Sequence, residues 1–111
     1  MNFTKLGSIH RVSRITGPQY NLLGVEFVKD QAIAQPTIEA LPQGDEPRYG
    51  PLDPAKILQA VLDGIQEANT QFNTNYRVAR VQYGESDTPP EIVYQYMATK
   101  LIEHLIGQES G

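Results

Sequence analysis

Two proline-started amphipathic helical segments with a β-rich stretch between them, all within residues 51–108, constrain this chain more than any other feature. The first segment opens at Leu52-Asp53-Pro54. There the Asp53 carboxylate is placed to accept from free first-turn N–H groups, and Pro54 sacrifices no bond by lacking one. Ile57, Leu58, Val61, Leu62, Ile65, Ala68 and Phe72 then recur at three- and four-residue spacing, opposite Lys56, Gln59, Asp63, Gln66 and Glu67. One face of this helix must therefore be buried. Gly64 costs such a helix about 1 kcal/mol against alanine, so a close approach by a neighbouring element is expected there.

The second segment opens at Asp87-Thr88-Pro89-Pro90-Glu91, which reads as a capping box with Thr88 as the cap and Glu91 reaching back. Val93, Tyr94, Met97, Ala98, Leu101 and Leu105 form its stripe, widened by Ile92, Ile102 and Ile106. Between the helices, Tyr76 to Tyr83 is aromatic and β-branched and stops at Gly84, as a strand does.

Upstream, Ser8 to Ile15 and Tyr20 to Val28 read as strands. In the second of these Leu23, Val25 and Phe27 share one face, and Tyr20, Leu22 and Val28 the other. Ala32 to Leu41 reads as a further strand, demoted to an edge by Pro36 and expected to form a hairpin with the strand before it. Pro42 to Gly50 has the composition of an exposed connection. The expected architecture is one α+β domain over residues 1–111: a mostly antiparallel three- or four-stranded sheet, both helices on one face, the other face partly open.

Composition narrows function. At 111 residues without a cysteine, the chain has length for a core but no thiolate nucleophile, Cys metal ligand or disulfide. No signal-peptide run or membrane-length apolar run occurs, so the expectation is a cytoplasmic protein without a membrane partner. The formal charge of −4 disfavours DNA and dedicated nucleic-acid binding, which rest on clustered Lys and Arg. No phosphate-cradling glycine motif is present, and His10 and His104, the only histidines, have no carboxylate at metal-ligand spacing. Catalytic, cofactor and metal residues are accordingly expected to be none. Asp45, Glu46, Glu85 and Asp87 read as solvated turn residues. The candidate interaction surface is Arg11, Arg14, Arg48, Tyr49, Arg77 and Arg80.

Ala60 to Ala68 (Ala-Val-Leu-Asp-Gly-Ile-Gln-Glu-Ala), Tyr76 to Val81 and the start at Asp87-Thr88 together resemble domain IV of translation elongation factor G. The likeness spans about half of the chain. It implies the ribosomal protein S5 domain 2-like fold, a split βαβ arrangement with two helices on one face of a four-stranded sheet. The chain departs from the family between strand and second helix, where only Gly84-Glu85-Ser86 stand in place of a longer turn, and no GTPase domain is present in the sequence. The leading functional expectation is a non-enzymatic binding or adaptor protein with a protein partner, weakly homodimeric through an unpaired sheet border and an open face carrying Tyr76 and Val78. The resemblance implies an alternative, a standalone ribosome- or RNA-contacting module. A small-molecule enzyme is the third reading.

Overall fold

The computed structural model describes residues 1–17, 19–28, 35–42 and 51–110. Its elements run β1 (Asn2–Leu6), β2 (Ile9–Thr16), β3 (Gln19–Phe27), β4 (Thr37–Leu41), α1 (Pro54–Phe72), β5 (Val78–Gly84) and α2 (Val93–Ser110). The class is α+β, as the sequence implies, but the sheet is larger and mixed. Its strand order is β1-β2-β3-β5-β4, antiparallel except for the β4–β5 pair.

β1 went unread because an edge strand with only Phe3 half-buried carries almost no apolar alternation. It closes on β2 through Gly7, whose φ of 62° suits a residue without a Cβ. β4 lies at the opposite border, consistent with Pro36, yet it does not form a hairpin with β3. It runs parallel to β5 because α1 intervenes, and a strand reached through a helical crossover returns in the same direction.

Alternation sends Val12, Leu23, Val25 and Val81 to one face, where they meet Ile57, Val61, Ile65, Met97, Leu101 and Ile102 of the helices in a single core. Both helices cover this face. Val78 joins them although it stands three residues from Val81, because a bulge opposite Glu26 and Phe27 inserts one residue into β5. The expected open-face role of Val78 therefore fails, and Tyr76 instead packs on Phe27 with ring centroids 5.0 Å apart.

Asp53 caps α1 as its position suggests, accepting from the Ala55 N–H at 3.0 Å. Asp53→Ala should lower stability by about 1 kcal/mol, measured as a fall in the urea midpoint; an unchanged midpoint would dismiss the cap. At the other end, the Asn69 side-chain oxygen accepts from the Tyr76 N–H at 3.0 Å while its amide donates to the Tyr76 carbonyl at 2.9 Å, fixing the turn into β5.

The start of α2 differs from the expected capping box. The Thr88 N–H donates to the Tyr20 carbonyl at 3.1 Å, and the Thr88 hydroxyl oxygen accepts from the Tyr20 N–H at 3.2 Å. Thr88 thus ties the segment before α2 to the start of β3 instead of capping a helix. The helix opens through three-residue turns, Val93 N–H to Pro90 and Tyr94 N–H to Glu91. Asp87 is buried, not solvated: its Oδ2 accepts from the Leu22 N–H at 2.7 Å, the Gly84 N–H at 3.3 Å and the Tyr94 hydroxyl at 2.6 Å. Asp45 and Glu46 lie outside the described residues.

Candidate functional site on the open sheet face

The face turned away from the helices is built by the alternate residues of each strand. Register sets Arg11 opposite Gly24, Gly24 opposite Gln82 and Gln82 opposite Glu39, so one row crosses four strands. The absent side chain at Gly24 leaves a lane along that row. A Cβ there would stand 3.0 Å from the Gln82 Oε1 and 3.2 Å from an Ile9 methyl. Gln82 lies in the lane, buried, accepting from the Arg11 guanidinium at 3.4 Å and donating from its amide to Glu39 at 2.8 Å.

The adjacent row pairs Glu26 with Arg80 across β3 and β5. Arg80 reaches both carboxylates, Glu39 at 3.5 Å and Glu26 at 3.7 Å, and the Ser8 hydroxyl also donates to Glu26. Two guanidiniums and two carboxylates thus interlock in a charge-balanced lattice over the middle of the face. The Nε of Arg11 and of Arg80 are buried without a hydrogen-bond partner among the described residues. Leaving a donor unpaired in this way carries a desolvation cost.

Apolar groups flank the lattice at both ends. Ile15 and Tyr20 pair across β2 and β3 at one end, 64% and 40% exposed, and Leu6 at the β1–β2 turn is 60% exposed.

Of the residues singled out from sequence, Arg11 and Arg80 come together here, linked through Gln82 and Glu39. Arg14 does not join them, because it shares the side of β2 that carries Val12 and so belongs to the helix face. Arg77 is exposed just before β5, where its carbonyl accepts from the Val28 N–H at 2.8 Å. Arg48 and Tyr49 lie outside the described residues. Sequence reasoning missed Glu26, Glu39, Gln82 and Gly24. Strand parity would have given Gln82 beside Arg80, but the cross-strand partners depend on a register no single strand encodes.

Chemically, each carboxylate of the lattice is already held by a cation, an amide or a hydroxyl. Such an arrangement presents shape and paired charge more than reactivity. Among the described residues no group of three or more His, Asp or Glu is arranged to hold a metal ion, and no helix is long and apolar enough to cross a membrane. No family model, no curated protein and no solved structure matches the chain.

Proposed function

We propose that this protein is a non-enzymatic binding domain whose open sheet face is its contact surface, with a second copy of the chain as partner. The observation that carries the reading is the charge-balanced lattice of Arg11, Arg80, Glu26 and Glu39, flanked by exposed Leu6, Ile15 and Tyr20. Exposed large apolar side chains on a sheet face with no covering element favour association. A balanced face also meets its own copy without net repulsion, although the whole chain carries −4.

Sedimentation velocity across a concentration series tests this. The expected result is a reversible dimer that Ile15→Asp abolishes, since that substitution alters an exposed side chain and leaves the core intact. A monomer at every soluble concentration would overturn the reading.

The ribosome- or RNA-contacting alternative draws support from the helix, strand, helix order of α1, β5 and α2 and from exposed Arg77. Neutralisation of Arg80 by Glu26 and Glu39, with Arg11 held on the Gln82 amide, weighs against phosphate binding on the open face. A salt-sensitive RNA shift lost on Arg77→Ala would move it to first place.

A further inference from the structure

Where β1 and β2 meet the carboxyl-terminal half of α2, a cavity of about 230 Å³ opens on the helix side of the sheet. Lys5, His10, His104 and Gln108 supply its polar wall, and Phe3 and Leu101 part of its apolar one. The Phe3 and His104 rings stack in parallel, centroids 4.1 Å apart.

The charge of this wall is unusual for the molecule. None of the described lining residues is acidic, whereas two larger grooves among the described residues, along the helices, contain Asp63 and Glu67, or Glu67 and Glu103. Lys5 and His10 stand directly opposite each other across β1 and β2, and Lys5 has no ion-pair partner among the described residues. Like charges in that position repel, so protonation of His10 is disfavoured until something negative enters. Burial, and then the Lys5 ammonium, hold the His10 imidazole below its ordinary pKa.

We propose that this cavity binds a small anion bearing a phosphate or carboxylate group, held by Lys5, His10 and His104. Its volume equals about eight water molecules at roughly 30 Å³ each, room for inorganic phosphate or a short carboxylic acid. Lys5 provides the permanent charge. His10 provides a donor that strengthens on protonation, and the His104 ring and the Gln108 amide provide further N–H donors. The ionisable groups facing His10 are Lys5 from β1 and His104 from α2; Val25, opposite it on β3, and Phe27, against its ring, do not ionise. Anion entry therefore raises the His10 pKa, and binding tightens as pH falls.

The chain has two histidines, so imidazole NMR reads the site directly, with His10→Gln assigning the signals. Inorganic phosphate and succinate are titrated separately into the full chain at constant ionic strength, against sodium chloride. Saturable shifts of both imidazoles are expected with at least one probe, stronger near about pH 6 than about pH 8. Lys5→Gln, a change on an exposed edge strand, should weaken binding on the order of tenfold, while Lys5→Arg retains it. A response to phosphate alone assigns phosphate ligands, and to succinate alone carboxylates. Shifts that chloride reproduces, or that survive Lys5→Gln unchanged, would overturn the site.

Discussion

Replacing Gly64 by leucine is expected to destabilise the protein by about 3 kcal/mol, at the upper end of the cost of overpacking. The helices touch at this residue. A Cβ at Gly64 would lie 2.4 Å from the Gln95 backbone oxygen and 3.1 Å from the Ala98 Cβ. A backbone oxygen cannot rotate aside, so α1 and α2 would have to separate. Separation would also cost the Thr99 hydroxyl its 3.3 Å bond to the Gly64 carbonyl and loosen Ile65 and Ala68 against α2. Even Gly64→Ala, which gains about 1 kcal/mol of helix propensity, should lose stability overall. Urea denaturation decides it: a higher midpoint for the alanine variant would show that the helices yield freely.

Asp87→Ala should be comparably damaging, at about 3 to 5 kcal/mol, because it strands three donors at once. The Leu22 and Gly84 N–H groups and the Tyr94 hydroxyl all converge on one carboxylate oxygen, and Tyr94 is wholly buried. Together with the Asn21 amide, which donates to the Thr88 carbonyl at 2.8 Å, this carboxylate ties residues 84–88 to β3 and sets where α2 begins. Tyr94→Phe, which removes one donor and leaves the carboxylate two, should cost only about 1 to 2 kcal/mol. Equal losses for both variants would contradict the convergence.

The same pair predicts an alkaline limit. Burial, then the Asp87 charge and its hydrogen bond, push the Tyr94 phenol far above its ordinary pKa. An acid whose folded pKa is raised contributes stability that is complete below its unfolded value and declines above it. Stability should therefore fall by up to about 1.4 kcal/mol per pH unit above about pH 10, with the slope reduced in Tyr94→Phe. The Tyr83 phenol, raised by burial and by Glu85 and Asp53, acts in the same direction.

What the sequence made legible follows the range of each interaction. Asp53, Pro54 and the apolar stripe of α1 act within a turn or two, so the helix and its cap could be read from residues alone. Gly64 was legible as a close approach because its propensity cost needed a reason, although its partner, the Gln95 carbonyl, was not. Thr88 misled because a hydroxyl four residues before a helical stripe resembles a cap, while its real partner, Tyr20, is 68 residues away. Asp87 misled likewise: beside proline an acid suggests solvent, and only the tertiary fold brings it Tyr94 and Leu22. The parallel β4–β5 pair is also non-local, since Thr37 to Leu41 carry no signal of which neighbour they will meet. The candidate surface was half visible. Arg11 and Arg80 were named as potential neighbours, but the lane at Gly24, the Gln82 amide that holds Arg11 and the carboxylates that neutralise Arg80 exist only in the register of four strands.

The central claim is that the open sheet face meets its own copy, and the lack of native cysteines allows it to be tested by distance. Spin labels placed at Ser13→Cys, on the open face of β2, and separately at Gln66→Cys, on exposed α1, report the separation between protomers in the dimer. Face-to-face packing, with sheets about 10 Å apart, predicts Ser13 labels within about 20 Å of each other. Gln66 labels should then lie farther apart than the 25 Å depth of a single protomer. Short distances at Gln66 with long ones at Ser13 would place the contact on the helices and contradict the account.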